Sequence, residues 1–406
     1  MPKKTIGDRL RKLRTESTMT QERLAEESGI SIETIRKLEQ GARSSARLPT
    51  LHALARALGV PTTALLGDAS KAAARREPDH RPLSLAGIRR VLTPARSLAG
   101  PVATVPDGPP PTLETVRGRL WAADAAYHRG DYATALAEAP RLLDDARRAA
   151  EDGGSAQAHA TLAQARYLAT ELLIQLRAGD LAYAAVAGAL DAAEAAGDPL
   201  LGASTVKGAS WLLLRQGRLA EAEQVAVATA DSIEPRLRKA APAELAVWGW
   251  LLLAGAAAAA RDNRPDDAVE MLDAASAAAA RLGSRPVGDG HLAVVGGFRA
   301  ARVDMMRVEV AAVAGDAGRA LDLAERVPAD KTTATSWRRH RLDVAWSQMQ
   351  VGAHAEATGV LVELRHQAPM WLRQQRYARD IVQSISEHRR RAMSQELADL
   401  VSLVGA

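Results

Sequence analysis

One short junction recurs along the chain after Leu113 and constrains its fold more than any other feature. At each occurrence a glycine or an asparagine precedes polar and small residues that begin a new segment rich in alanine and leucine. The six junctions begin at Gly130, Gly179, Gly217, Asn263, Gly315 and Gly352. Such a junction is typical of the turn in a hairpin of two antiparallel helices. Its recurrence at about every 35–50 residues predicts an α-solenoid, in which successive hairpins stack on one another.

The first of these hairpins carries the most specific pattern. Its marker residues are Leu120-Trp121, Gly130-Asp131-Tyr132, Ala135-Leu136 and Ala139. This hairpin, and more loosely the later ones, resembles the tetratricopeptide repeat (TPR). The resemblance implies a TPR-like α-solenoid of about seven hairpins over residues 113–406, and the whole chain is predicted to be all-α. An ordinary helical bundle with no repeat ancestry is the alternative.

A second pattern, within Thr20–Gly41, predicts a helix, a tight turn and another helix. Gly29 lies at the turn, where a backbone with positive φ favours glycine. Ile35 and Leu38 are three residues apart, so they share the inward face of the second helix. Ala25 is small where the two helices must cross. This pattern indicates a helix-turn-helix, a unit that places its second helix in the major groove of DNA.

The same pattern extends over a longer set of residues in the first part of the chain. These are Thr20-Gln21, Leu24-Ala25, Gly29, Ile35, Leu38-Glu39, Gly41, Thr50-Leu51, Leu54-Ala55, Ala57-Leu58-Gly59-Val60 and Leu65-Leu66. Together they resemble the Cro/CI-type (XRE) helix-turn-helix family. The resemblance implies a five-helix, lambda-repressor-like DNA-binding domain over residues 1–67, with helices at about 6–15, after Thr20, after Ser31, at 50–58 and at 62–66. It also implies an ion pair between Arg14 and Glu39 that joins the first helix to the end of the third.

The charge of the chain is unevenly distributed. Residues 1–66 hold 12 Lys and Arg against 7 Asp and Glu, whereas the residues after 112 hold 34 against 37. Positive charge therefore collects where contacts with DNA phosphates would need it. Between these regions, residues 67–112 contain 8 of the 19 prolines. That density predicts an interdomain linker over residues 68–112, interrupted by a short helix around Leu83–Val91.

The second helix of the motif offers several side chains to DNA, because the first residues of a recognition helix normally reach base edges. Lysine can donate to guanine, glutamate can accept from cytosine, and isoleucine can meet a thymine methyl group. The predicted DNA-binding residues are Thr20, Gln21, Ser31, Ile32, Glu33, Thr34, Arg36, Lys37, Arg43 and Arg47. Of these, Thr20, Gln21, Arg43 and Arg47 are assigned to phosphates, and Arg36 is a further phosphate candidate. The alternative for each residue alone is a solvated surface side chain.

The first helix of each hairpin normally lines the concave face of a solenoid, where partners bind. The chain has seven tryptophans and a single phenylalanine, and tryptophan and arginine are frequent binding anchors. The predicted ligand-binding residues are Arg166, Tyr167, Lys207, Trp211, Trp248, Arg299, Arg302, Trp337, Arg338 and Arg341, within a wider set that adds Trp121, Asp124, His128, Gln164, Glu171, Ser210, Trp250, Phe298, Asp304, His340, Asp343 and Trp346. The alternative is that the tryptophans fill gaps between helices and the arginines pair with nearby carboxylates.

The order of the two domains resembles the peptide-pheromone receptors of Gram-positive bacteria. The resemblance implies a dimeric, sequence-specific transcriptional regulator that binds a double-stranded DNA operator and senses a signalling peptide or small molecule in its concave groove, as in quorum sensing. Those receptors commonly hold the peptide backbone with asparagine side chains, whereas Asn263, the only asparagine of this chain, lies at a junction. The alternatives are a scaffold that recruits a partner protein, with DNA binding secondary, and an enzyme.

Several classes are disfavoured by what the sequence lacks. It contains no nucleotide-binding, nucleophile-elbow or zinc-protease motif and no cysteine, so no enzyme activity, cofactor or metal site is predicted. The N-terminus is charged and does not resemble a signal peptide. The most apolar run, residues 246–260, is shorter than the roughly 20 residues of a membrane span. The sequence therefore predicts a cytoplasmic protein with no membrane partner.

Overall fold

A computed structural model of the chain divides into two compact units, Met1–Leu83 and Ser84–Ala406. The residues that the structure describes are 5–41, 46, 48–58, 60, 65, 83–98, 100–101, 109–287, 297–328, 333–387 and 393–405.

Four helices are described in the N-terminal unit: α1 (Ile6–Glu16), α2 (Gln21–Ser28), α3 (Ile32–Glu39) and α4 (Leu48–Ala57). Thr5, Thr20 and Ser31 cap the first three, since each side chain accepts a hydrogen bond from a backbone N–H of the first turn. The core of the unit consists of Leu10, Leu24, Ile35, Leu38, Leu54, Ala55, Leu58 and Leu65. The predicted fifth helix, at 62–66, lies outside the described residues except for the buried Leu65.

The crossing of α1 and α3 is close enough to require glycine. A Cβ atom on Gly7 would lie 1.8 Å from the carbonyl oxygen of Leu38, far inside van der Waals contact. Arg9 Nε donates a hydrogen bond to the carbonyl oxygen of Leu65 at 2.8 Å. The contact between Gly7 and Leu38 fixes α3 against α1, and the hydrogen bond from Arg9 fixes α1 against Leu65. The opposite face of α3 is turned away from the core.

The C-terminal unit is built of helical hairpins, as the junctions predict. Its described helices are α5 (Ala86–Leu92), α6 (Leu113–Arg129), α7 (Tyr132–Gly153), α8 (Ala156–Gln175), α9 (Gly179–Ala195), α10 (Pro199–Arg215), α11 (Leu219–Ser232), α12 (Pro242–Arg261), α13 (Pro265–Leu282), α14 (Ala300–Val313), α15 (Ala317–Ala324), α16 (Ala334–Gln350), α17 (His354–Gln367), α18 (Pro369–Gln374), α19 (Arg376–Glu387) and α20 (Gln395–Val404). Six consecutive pairs from α6/α7 to α16/α17 form hairpins, and α19/α20 form a seventh after the short α18.

The predicted junctions lie at the turns of these hairpins. The first residue of the junction has positive φ at five of the six turns, four times as glycine and once as Asn263, with φ 59°. The exception is Gly179, which begins α9, because the positive φ at that turn is taken by Arg177. Each of these six hairpins therefore ends its first helix in the left-handed conformation that stops an α-helix.

The row of hairpins closes on itself. Arg338 Nη1 on α16 donates to the carbonyl oxygen of His128 on α6 at 3.2 Å. Gln375, between α18 and α19, donates from Nε2 to Oε1 of Gln175 on α8 at 3.1 Å, and both residues are buried. The concave faces therefore surround a central cavity, at the place where the sequence predicts a concave groove.

The start of this unit lies within the segment predicted as a linker. α5 lies against α7, where a Cβ atom on Gly87 would be 3.1 Å from the ring of Pro140, and Arg89 Nη1 is 2.7 Å from Asp180 Oδ2 on α9. A two-residue antiparallel pair follows, β1 (Arg96–Ser97) with β2 (Gly100–Pro101). Residues from Ser84 thus belong to the helical unit, and this short pair is the one departure from an all-α fold among the described residues.

α12 is the most apolar helix of the described residues. It is 20 residues long with a mean hydropathy of 1.5, which by length and composition alone would suffice to cross a membrane, but 78% of that stretch is buried within the unit. Gly249 on α12 lies under the ring of Phe298, where a Cβ atom would come within 2.0 Å of the ring. Since the core helix of a folded domain passes the same test, α12 is only a weak indication of a membrane span.

Candidate DNA-binding surface and ligand cavity

The outer face of α3 is accessible. Ile35 and Leu38 anchor the helix and have no exposed surface. On the other side, Ser31, Glu33, Arg36 and Lys37 are exposed, and Ile32 and Thr34 are half-buried. The structure therefore brings the six predicted residues of this helix and its cap onto one accessible surface.

Most of these side chains hold one another in place. Ser31 Oγ lies 2.8 Å from Thr34 Oγ1 and also accepts from the Thr34 backbone N–H. Lys37 Nζ lies 2.7 Å from Glu33 Oε1, and the hydrogen bond from Lys37 lowers the pKa of Glu33. Both members of this ion pair are more than half exposed, so solvent screens the attraction and the pair contributes little to stability. Either side chain can therefore exchange its partner for a base edge at little cost.

Arg14 and Glu39 form the ion pair expected from the sequence. Arg14 Nε and Nη2 donate to the two carboxylate oxygens of Glu39 at 2.8 and 2.9 Å, and Gln21 Nε2 donates to the same carboxylate at 2.7 Å. Burial raises the pKa of Glu39, but the hydrogen bonds from Arg14 and Gln21 outweigh it, so that the pKa is lowered. The carboxylate thus ties α1, α2 and α3 together from a position with only 3% of its side chain exposed.

The residues assigned to phosphates are placed unequally. Thr20 caps α2, since its hydroxyl accepts from the Arg23 backbone N–H at 3.1 Å. Gln21 donates one amide N–H to Glu39 and accepts from Arg36 Nε at 3.3 Å. Its second amide N–H and the backbone N–H groups that begin α2 remain to meet a phosphate. Arg43 and Arg47 lie outside the described residues, and their phosphate contacts stay predictions.

The first helices of the hairpins enclose a cavity of about 550 Å³ in the C-terminal unit. It is lined by α6, α8, α10, α12, α14 and α16, together with residues of α18 and α19. On α12, for example, the lining residues are Trp250, Leu253, Ala254, Ala257 and Arg261, which is the spacing of a single helix face. The volume lies in the range of sites for small molecules.

Four of the ten predicted ligand-binding residues line this cavity. They are Tyr167, Lys207, Trp211 and Arg302, and Trp121, Asp124, His128, Gln164, Glu171, Ser210 and Trp250 of the wider set line it as well. The other six predicted residues face elsewhere. Arg166 donates to the carbonyl oxygen of Gly188 at 2.6 Å, Trp248 is 8% exposed in the core around α12, and Arg299 donates to the carbonyl oxygen of Phe298 at 2.6 Å.

The three remaining residues lie on α16. Trp337 packs against the core of α14 and α15, Arg338 is in the contact that closes the row of hairpins, and Arg341 lies 3.4 Å from Glu363. These three residues do not line the cavity, because neighbouring residues of a helix point about 100° apart. Arg339, between them in sequence, is the arginine of α16 that lines the cavity.

Residues 10–65 match the protein family described as Helix-turn-helix. The N-terminal unit is a helix-turn-helix domain. The crystal structure of Bacillus thuringiensis PlcR in complex with the peptide PapR7 and DNA is similar to the chain at 11% sequence identity, over 88% of this chain and 99% of that chain, with a TM-score of 0.33. A TM-score this low does not establish a common fold. No curated protein matches the chain.

One wall of the cavity alternates aromatic rings with cations. Lys207 Nζ lies 5.3 Å from the ring centre of Tyr167 and 4.6 Å from that of Trp250, and it is 3.6 Å from Glu171. The guanidinium of Arg302 lies 5.3 Å from the same Trp250 ring. Burial lowers the pKa of Lys207 and of Arg302. Cation–π contacts of this kind stabilise partly desolvated cations.

A second group of charges surrounds Glu309 on α14. Arg261 Nη2 lies 2.6 Å from Glu309 Oε1, and Arg339 Nη2 lies 3.9 Å from both Glu309 and Asp343. Burial raises the pKa of Glu309, but the neighbouring arginines outweigh it and lower the pKa to about 2. The sequence analysis missed Glu309, Arg215, Arg339 and Tyr377 among the lining residues. A search for polar and aromatic residues at helical spacing on each first helix would have found them.

We expect Asp343 to make the helical unit less stable as the pH rises. Burial, with Arg339 opposing it, raises the pKa of this carboxyl group from 3.8 to about 7, so the folded state favours the protonated form. A folded-state pKa above the unfolded value contributes stability below the unfolded pKa, and this contribution is lost as the pH rises through the folded pKa. Asp343→Asn, which stays neutral, should match the wild type at acid pH and exceed it in stability at about pH 8.

Urea unfolding followed by tryptophan emission at several pH values measures this difference. The comparison between the two proteins cancels the opposite contribution of His340, whose pKa is lowered to about 4 by burial. An unchanged gap between Asp343→Asn and the wild type across the pH range would contradict the assignment.

Proposed function

We propose that the chain is a sequence-specific DNA-binding transcriptional regulator whose helical-repeat unit senses a small molecule or short peptide in its central cavity. The observation that carries the proposal is the helix-turn-helix domain itself, in which residues 10–65 match the family and α3 presents a capped, exposed outer face. We assign base contacts to Ser31, Ile32, Glu33, Thr34 and Lys37, and phosphate contacts to the remaining predicted residues. The protein would act without enzymatic chemistry, in the cytoplasm.

The size of the cavity favours a ligand over a partner protein. About 550 Å³ accommodates a small molecule or a few residues of peptide, whereas a stable protein partner needs roughly 800 Å² of surface on each side. The row of hairpins closes around the concave surface, which leaves little room there for a folded partner, so a scaffold that recruits one through this face fits less well. A homodimer would match the paired half-sites that helix-turn-helix proteins normally read, and a ligand would act by favouring one dimer geometry over another.

Replacing Lys37 with alanine should weaken binding to the preferred DNA sequence while leaving other sequences unaffected. The preferred sequence is first selected from a random duplex library with the full-length protein. A base contact by lysine contributes about 1–3 kcal/mol of discrimination, so affinity for the selected duplex should fall roughly tenfold or more. Affinity for a scrambled duplex of the same length should change less than about twofold, since it depends mainly on phosphates.

Lys12→Ala is the matched control for this experiment. Lys12 also lies on an exposed helix face and also pairs with a glutamate four residues away, Glu16, at 3.4 Å. Lys12 is not on the recognition helix, so its loss should leave the ratio between the selected and scrambled duplexes unchanged. No selected sequence at low salt would end the regulator proposal, and an unchanged ratio in Lys37→Ala would end the base-contact assignment.

A further inference from the structure

The carboxylates on the cavity wall lie beside basic side chains of the protein. Four carboxylates line the cavity, and each has a basic neighbour. The pairs are Asp124 with His128 at 3.6 Å, Glu171 with Lys207 at 3.6 Å, Glu309 with Arg261 at 2.6 Å and Asp380 with Arg376 at 3.8 Å. Arg339 shares Glu309 and Asp343 at 3.9 Å. Every lining carboxylate thus has a basic neighbour. Two lining arginines are left without a carboxylate, and they indicate that the cavity could accept a negatively charged group.

Arg215, the last residue of α10, is the first of the two arginines that have no carboxylate. It lines the cavity, its side chain is accessible, and it makes no ion pair or side-chain hydrogen bond with the part of the chain that the structure describes. Burial and the neighbouring Arg339, Arg177 and Arg261 lower its pKa to about 10. The helix dipole stabilises a cation at the C-terminal end of a helix. This effect does not offset the repulsion between Arg215 and the three neighbouring arginines.

Arg302 on α14 is the second. Its guanidinium lies over Trp250, and its buried Nε has no hydrogen-bond partner among the described residues. It forms no ion pair with a described carboxylate. Glu309 and Asp343 act on Arg302 only electrostatically, without an ion pair, while Lys207 shares the Trp250 ring. Arg339 acts electrostatically on both Arg302 and Arg215. A buried donor left without an acceptor is unfavourable, and a bound acceptor would remove that cost.

We propose that Arg215 and Arg302 form an anion-binding side of the cavity, so that the ligand is an amphipathic molecule with an acidic group on an apolar or aromatic body. The proposal rests on the proposed function only in taking the cavity to be a ligand site. The acidic group would meet the two unpaired guanidiniums, which are suited to carboxylates. The body would contact the aromatic part of the wall, at Trp211, Trp250 and Tyr167.

A pair of dyes that differ mainly in charge tests the proposal on the full-length protein. 8-Anilinonaphthalene-1-sulfonate carries an acidic group, and N-phenyl-1-naphthylamine has the same ring system without it. Energy transfer from tryptophan detects dye bound to the helical-repeat unit, which holds all seven tryptophans, and the response of the arginine variants identifies the dye bound inside the cavity. Since a hydrogen bond to a charged group contributes about 1.5–3 kcal/mol, Arg215→Gln and Arg302→Gln should each weaken the sulfonate dye by about tenfold or more. Each should change the neutral dye by less than about twofold.

Two further variants separate charge from folding. Arg319→Gln removes an exposed arginine of α15 that does not line the cavity, and it should affect neither dye. Arg302→Lys keeps a cation near Trp250 and should restore part of the affinity if Arg302→Gln acts through charge. Equal weakening of both dyes, an unchanged affinity for the sulfonate dye in both glutamine variants, or no cavity binding of that dye at all would each overturn the proposal.

Competition against the sulfonate dye distinguishes two sources of the acidic group. Decanoate is compared with decanol, and a pentapeptide of leucine and alanine with a free C-terminal carboxylate is compared with its C-terminal amide. The proposal expects at least one acid to displace the dye better than its neutral partner, and the pair that does so identifies a free acid or a peptide terminus. If an acid displaces the dye but does not change the affinity for DNA, the anion-binding site is supported and the ligand-sensing role is not. The two proposals can therefore fail separately.

Discussion

Glu309→Gln is expected to lower the free energy of unfolding of the helical-repeat unit by about 3–5 kcal/mol, the usual cost of breaking a buried ion pair from one side. Glu309 is 6% exposed and its carboxylate lies against Arg261 and Arg339, with Arg302 also acting on it. Glutamine keeps the shape of the side chain but removes the negative charge. The three arginines then repel one another without the carboxylate that lies among them.

Tryptophan emission during urea unfolding measures this effect in the right part of the molecule, because all seven tryptophans lie between Trp121 and Trp371. Glu363→Gln is the control within the same unit. Glu363 is 47% exposed and lies 3.4 Å from Arg341, and an exposed pair contributes less than about 1 kcal/mol. If the two variants lose stability equally, the arginines around Glu309 are better hydrated than the structure indicates.

The prediction of the helix-turn-helix succeeded because its signal is local. The caps at Thr20 and Ser31, the glycine turn at Gly29 and the paired Ile35 and Leu38 each act within one or two helical turns. Local hydrogen bonds and backbone preferences of this kind depend little on the rest of the chain. The contacts between helices in this domain were not predicted. One example is the close crossing at Gly7, where a Cβ atom would meet the backbone of Leu38.

The helical hairpins were equally visible in sequence, but the faces of their helices were not. The junctions fix where a helix ends, and they leave open its rotation about its own axis. Trp248 and Trp250 are two residues apart, so they point in nearly opposite directions, and only Trp250 lines the cavity. Choosing between them needs the neighbours on α10 and α14. Comparing the polar and aromatic residues at helical spacing on all six first helices would have favoured Trp250 over Trp248.

The closure of the row of hairpins could not be read from the sequence at all. It depends on residues far apart in the chain, such as Gln175 with Gln375 and His128 with Arg338. A solenoid accumulates its curvature from small rotations between neighbouring repeats, and no single junction encodes their sum. The closure matters for function, because a cavity surrounded by helices selects ligands by size and charge more strictly than an extended concave face does.

In the N-terminal unit, Glu39→Gln should destabilise α1, α2 and α3 together by about 3 kcal/mol. Glu39 accepts from Arg14 and Gln21, and its side chain is 3% exposed against 14% for Arg14, so the loss of its charge leaves a largely buried guanidinium without a partner. Since the pKa of Glu39 is lowered in the folded state, the contribution of the pair is present above the unfolded pKa and is lost as the pH falls through the folded pKa.

Residues 1–83 contain no tryptophan, tyrosine or phenylalanine, so hydrogen exchange of peptides from residues 6–39 is the appropriate measurement on the intact chain. A loss of about 3 kcal/mol corresponds to exchange that is faster by roughly a hundredfold. Glu22→Gln is the control, because Glu22 is 65% exposed and lies 3.4 Å from Arg36. If exchange becomes faster in α3 alone, Glu39 stabilises only the end of its own helix and does not join α1, α2 and α3. Faster exchange in all three helices, with the C-terminal peptides unchanged, is the result that the bidentate contact with Arg14 requires.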